Sequence, residues 1–164
     1  MSAINPYAAQ LGNANARETI RATPHNLIHL SDSLGAGGFE RSYAPGKWSA
    51  RMILCHLADC EIAFGFRIRQ TLAEDHHTVQ PFDQDAWAQP YGNPSFHPQT
   101  ALQVFCDLRG WNLVLIDSLG PDAFQRRVRH PERGDMTLET IVETMAGHDL
   151  NHLRQLEKIA AVSG

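Results

Sequence analysis

A chain of 164 residues is long enough to bury one core and short for two ordinary domains. With 43% hydrophobic and 20% charged residues it is not a disordered chain, and a formal net charge of −4 gives no general attraction to nucleic acid. No uninterrupted apolar run approaches the ~20 residues of a membrane span, and residues 1–20 lack the basic-then-apolar order of a secretory signal.

No repeat, low-complexity tract or composition shift divides the chain, so residues 1–164 are expected to form one domain. The first helix is predicted from about Ala16 to Leu34, where Leu27, Leu30 and Leu34 share a face and Gly35 to Gly38 end it. Pro24 lies inside that pattern and is expected to kink or restart the helix. After the turn-rich "RSYAPGKWSA", Ser49 is a plausible N-cap for a second helix running from Ala50 to about Glu74, with Ile53, Leu57, Phe64 and Ile68 as apolar positions. A long irregular crossover follows from Asp75 to Pro98, a length that is often functional. The third helix is predicted from Gln99 to Leu119 through Leu102, Phe105, Leu108, Leu113 and Ile116, and stops at Gly120-Pro121. The next stretch is extended or irregular, with Phe124, Arg126 and Val128 alternating as in a short strand. The basic cluster Arg126, Arg127, Arg129 and Arg133 reads as a solvated loop. The fourth helix starts near Thr137, has Glu139 where the helix dipole favours a carboxylate, and ends near Val162. Four such helices with no convincing sheet predict an all-α four-helix bundle with a long crossover between the second and third helices.

Nine histidines are the unusual number in the composition. His148 and His152 stand four apart on the fourth helix, so they differ by only about 40° and can aim ring nitrogens at one point. A catalytic zinc-type site wants three protein ligands, and His56, on an inward face of the second helix, is the best third. Each histidine also has a plainer reading as a hydrogen-bonded core residue. Cys60, four residues after His56, is the chief rival ligand. Asp59 and Asp149 are candidates to receive a ligand's second N–H, while Glu61 points about 140° away from His56. His25 and His29 share the i, i+4 spacing but neighbour Pro24 and Asn26. His76 and His77 read as a solvated helix cap, and His97 and His130 as loop residues before prolines, His130 with the alternative of bordering a pocket. Cys55, Cys60 and Cys106 form no CxxC pair and no even framework, which points to free or buried thiols in a reducing cytoplasm.

The segments "GKWSARMILCHLADCE", "PFDQDAWA" and "HPERGDMTLETIVETMAGHDLNHLRQLEKI", together with "ATPHNL" in the first helix, resemble the DinB-like superfamily of small four-helix proteins. The resemblance covers nearly the whole chain. It implies a bundle of unusual connectivity with a divalent metal, zinc or nickel, held by three histidines. Carried over position by position, those ligands are His56, His148 and His152. Asn151 departs from many relatives, which have another histidine there. Trp48 and Trp87 are expected to pack at the start of the second helix and on the crossover, or to line a pocket mouth.

The relatives include bacillithiol transferases and mycothiol-dependent maleylpyruvate isomerases. The resemblance therefore implies a metal-dependent enzyme, a low-molecular-weight-thiol S-transferase or a hydrolase, acting on a small molecule. Asp59 is the weak candidate for handling a proton. The alternative is a non-catalytic metal-binding or stress-associated module. Expected partners are a small-molecule substrate, with a low-molecular-weight thiol as one option, and neither nucleic acid nor membrane. A homodimer is one open outcome for assembly.

Overall fold

The computed structural model describes residues 4–161. In chain order its helices are α1 (Ala8–Leu11), α2 (Ala16–Gly38), α3 (Ala50–Ala73), α4 (Gln84–Ala88), α5 (Pro98–Asp117) and α6 (Leu138–Ala161). Single-turn 3-10 segments cover Gln89–Gly92 and Pro121–Gln125, and strands β1 (Arg127–His130) and β2 (Gly134–Thr137) precede α6. The expected end of the last helix at Val162 lies outside the described residues. None of the helices described is long and apolar enough to cross a membrane.

The four long helices close into a ring. Helix α2 borders α6 and α5, and α3 borders the same two from the other side. The connections α2–α3 and α5–α6 therefore run diagonally, unlike an up-down bundle in which successive helices are neighbours. Local chemistry sets the ends. The Asn15 side chain accepts from the backbone N–H groups of Arg17 and Glu18 at the start of α2, and Ser49 accepts from Met52 at the start of α3.

Three expectations need correction. Pro24 does not break α2; the backbone leaves helical geometry at Gly35 instead, where φ is 62° and ψ 177°. The carbonyl that Pro24 cannot bond, that of Ile20, accepts from Arg109 Nη1 at 2.8 Å, so the missing N–H leaves no orphan. In the stretch before α6, the short strand falls on Arg127–His130 rather than around Phe124 and Arg126, and an unforeseen second strand makes it an antiparallel hairpin that pairs Arg127 with Thr137 through His130 with Gly134. Its burial alternates in β1, with Val128 and His130 inward. Arg127 and Arg129 are exposed as the solvated reading expects, but Arg126 donates to the Thr71 carbonyl and pairs with Asp75.

The crossover is only partly irregular, since it carries α4, and Trp87 there is 42% exposed and stacks on Phe82 with ring centroids 4.5 Å apart. His77 is also not a solvated cap: it is buried, and its segment bridges in parallel to Arg129 of β1.

The core comes in two apolar halves. One gathers Leu27, Leu34, Ile53, Leu57, Phe105, Leu153 and Leu156. The other gathers Ile20, Phe64, Ile68, Ile116, Ile141, Val142 and Met145. On every long helix the boundary between the halves is polar: Thr23 on α2, His56 and Glu61 on α3, Arg109 and Asn112 on α5, His148, Asp149 and His152 on α6, all buried. A layer of charged and imidazole groups thus crosses the middle of the bundle.

Candidate metal centre

Helix α3 is buried on most of its circumference, so His56 points into the bundle whatever its exact phase, and it is 2% exposed. The i, i+4 spacing on α6 brings His148 and His152, 4% and 5% exposed, against it. Ring centroids lie 5.1 Å apart for His56–His148, 4.8 Å for His56–His152 and 4.5 Å for His148–His152. The Nε2 atoms of His56 and His148 are 3.0 Å apart. Two nitrogens each ~2.0–2.1 Å from a tetrahedral cation stand about 3.3 Å apart, so this pair is already at coordinating separation.

Neutral imidazoles are what a cation needs, because a protonated ring has no lone pair to give. Burial, and then the neighbouring His148, hold His56 down to about 3. Burial, His148 and His56 together hold His152 well below the usual histidine range. Nδ1 of His152 meets the Gln155 side-chain oxygen at 2.8 Å, which places the proton on Nδ1 and leaves the Nε2 lone pair free. Nδ1 of His148 is buried without a partner, 3.9 Å from Asp149 Oδ1. Closing that gap by about 1 Å would complete the outer hydrogen bond that metal-bound histidines ordinarily make.

Cys60 is the fourth group here. Its Sγ lies 3.4 Å from His56 Nε2, and donor atoms of His56, Cys60 and His148 fall within 4.8 Å of one another. Burial, then Asp59, pushes its thiol far above the ordinary range. A thiol must lose its proton to bind a cation, whereas the His152 ring is already neutral. Among the described residues, the set of three donors at this spacing contains Cys60 and not His152, so the thiol is the geometric rival of the third imidazole.

Helical architecture and site can be compared with known proteins. The pattern of the DinB superfamily matches residues 19–156. This chain belongs to the DinB superfamily. It is 22% identical over 148 residues to Bacillus subtilis YfiT, named "Putative metal-dependent hydrolase YfiT", covering 90% of this chain and 83% of the relative. An Oceanobacillus iheyensis relative with the same descriptive name, OB0782, is 25% identical over 140 residues, covering 85% and 81%. A Geobacillus kaustophilus one, GK0616, is 26% identical over 147 residues, covering 88% and 82%. A solved structure of YfiT, described as a probable metal-dependent hydrolase with an unusual four-helix bundle topology, superposes with a TM-score of 0.81 at 21% identity, covering 90% of this chain and 85% of that one. The fold is shared.

The other predicted residues of this DinB-superfamily chain lie as follows. Asp59 accepts from the Tyr91 hydroxyl and lines a separate cavity with Cys55 and Phe96, turned from the imidazoles. Asn151 is half-buried beside a cavity that also touches His152, Trp48 and Gln155. The Trp48 ring packs 4.9 Å from that of His56. His25, His29, His76 and His97 are exposed. Glu61 faces α5, where Arg109 Nη2 donates to it at 2.8 Å.

Sequence reading missed Arg109, Asn112 and Tyr7. Arg109 is fully buried and bonded to Glu61, to Asp149 and to the Ile20 carbonyl. Burial alone would lower its pKa, but Asp149 and Glu61 raise it; the same pairing keeps Asp149 ionised against its own burial. The signal was present: Phe105, Arg109, Asn112 and Ile116 follow a helical stripe, so two polar residues occupy core positions. Tyr7 stacks edge-on to His148 at 5.3 Å, and no local pattern in the N-terminal segment announces it.

Proposed function

We propose that this chain is a metal-dependent enzyme acting on a small molecule, a hydrolase or a low-molecular-weight-thiol S-transferase, in which His56, His148 and His152 hold a divalent cation, zinc or nickel. The observation that carries this reading is the gathering of three buried imidazoles from two helices, with ring centroids 4.5 to 5.1 Å apart and His148 lining a cavity of about 260 Å³. The names of the relatives support the hydrolytic branch. A divalent cation in such a site polarises a bound substrate group and makes a coordinated water or thiol nucleophilic near neutral pH.

The chain's own groups supply the rest. Trp48 and Phe64 flank the imidazoles and keep bulk water from two sides. Asp149, fixed by Arg109 and by the Thr23 hydroxyl, stands 3.9 Å behind His148 Nδ1 and would accept its proton if that gap closed. Gln155 holds the His152 tautomer. Tyr7 closes the side next to His148.

Purified protein loaded with zinc or nickel is to be incubated with monochlorobimane and a panel of low-molecular-weight thiols, and in parallel with a panel of activated esters and amides. Turnover in either panel that disappears with EDTA, returns with metal and is lost in His56→Ala supports the reading. Stoichiometric metal without turnover in either panel would leave a metal-binding module and overturn the enzyme. Failure to retain any metal would overturn both.

A further inference from the structure

The cavity that reaches His148 and Cys60 opens between α3, the crossover and the β1–β2 hairpin. Its lining combines the rings of Tyr7, Phe64 and Phe82 with the guanidinium groups of Arg67 and Arg133. Neither guanidinium forms an ion pair within the described residues; Arg67 is held by the Gln80 carbonyl at 3.0 Å and lies 5.5 Å from the Phe82 ring. Glu132, the carboxylate among the lining residues, is exposed and pairs with neither. His130, 4% exposed, also lines the cavity. Its Nδ1 accepts from the Glu132 backbone N–H at 3.2 Å, so its proton sits on Nε2 and the ring offers a donor.

Two like charges beside one half-enclosed space, with no anion of the protein between them, are unfavourable unless something else neutralises them. Consistent with this, burial and then Arg133 lower the Arg67 pKa, and burial followed by Arg133 and Arg67 lower that of His130. Arginine forks match carboxylates bidentately, and the cavity has room for a small organic body beside its aromatic rings.

We propose that this cavity is the substrate pocket and that it selects a small organic carboxylate: Arg67 and Arg133 bind the carboxylate, His130 Nε2–H donates to it, Phe64 and Phe82 pack the apolar body, and the reactive end reaches His148. The substrate class rests on the metal-enzyme reading above, but the anion site itself does not require it. Sequence reading left the Arg133 cluster as a solvated loop; the hairpin turns this one member inward while Arg127 and Arg129 stay outside.

Benzoate and its neutral isostere benzamide are the probes, titrated by calorimetry into the full chain, with metal content measured on the same samples. The expected result is benzoate binding at least ten-fold tighter than benzamide, the order that one charge-assisted hydrogen bond supplies. Arg133→Gln is expected to abolish that preference while leaving metal stoichiometry and melting temperature unchanged. Arg67→Gln is expected to do the same, and since Arg67 also ties down the crossover, Arg133→Gln is the decisive variant. Equal binding of the two probes, no binding of benzoate, or an unchanged preference in Arg133→Gln overturns the proposal. His56→Ala that loses metal but keeps the benzoate preference separates the two readings; a wild-type chain that prefers benzoate yet holds no metal sinks the metal centre alone.

Discussion

Burial sets the charge of individual residues in this site, and that has a measurable consequence. In the unfolded chain a histidine titrates near 6.5, whereas His56 is held down to about 3 and His152 well below its usual value. As pH falls through about 6.5 the unfolded chain takes up protons that the folded rings refuse, so metal-free stability must fall. The slope is up to about 1.4 kcal/mol per pH unit for each such ring. His130 adds to it with the same sign. Asp149 acts with the same sign in a lower window: its folded pKa is depressed below 3.8, so its stabilisation is lost only in stronger acid. Urea midpoints measured in EDTA at pH 7.5, 6.0 and 5.0 are therefore expected to drop steadily, and a flat profile would show that the rings are not buried neutral. His148 and His152 were legible as a pair because helical phase puts them on one face. Asp149 was named beside them, but the groups that fix it, Thr23 of α2 and Arg109 of α5, and the Gln155 that backs His152 were not, because they depend on tertiary packing and side-chain direction.

Among the elements, the N-terminal segment makes one notably close approach to α6, besides the Tyr7–His148 ring contact and the bond from Arg154 to the Gln10 carbonyl. A Cβ at Gly147 would sit 2.5 Å from the Tyr7 carbonyl oxygen and 2.6 Å from its Cβ. Glycine mid-helix otherwise costs about 1 kcal/mol relative to alanine, so Gly147→Ala is stabilising if the helix alone decides. The contact reverses the sign: the variant is expected to lose about 1–3 kcal/mol and to displace Tyr7 from the His148 ring. A chemical-denaturation curve for the variant reads the sign directly, and a gain in stability would refute this account of how the segment docks. Helix existence was readable from apolar spacing and caps, and the predicted and observed bounds of α3 and α5 differ by at most two residues at any end. What periodicity could not reveal was tertiary compensation. Pro24 is tolerated because Arg109, 85 positions further on, bonds the carbonyl it leaves free. The hairpin was missed because a four-residue strand with one buried valine and one buried histidine carries too short an alternation to separate from loop.

Across the whole molecule, two apolar halves meet at a layer in which Arg109 pairs with both Glu61 and Asp149 and the three imidazoles stand beside them. Buried ion pairs of this kind add little net stability when intact but are expensive to break, because the surviving carboxylates stay buried and unpaired. Arg109→Leu is expected to lower unfolding free energy by about 3–5 kcal/mol, checked by urea unfolding at pH 7.5. An unchanged midpoint would mean the layer is not the element that joins the two halves. The layer also explains why a bundle of this size places its chemistry at mid-height: the polar groups that orient the site are the same ones that interrupt the core. The central claim is that three imidazoles, and not the neighbouring thiol, converge on one cation. X-ray absorption on zinc- or nickel-loaded protein tests it most directly. The account predicts three imidazole nitrogens at ~2.0–2.1 Å and no sulfur near ~2.3 Å; a sulfur shell, or fewer than three imidazoles, would contradict it.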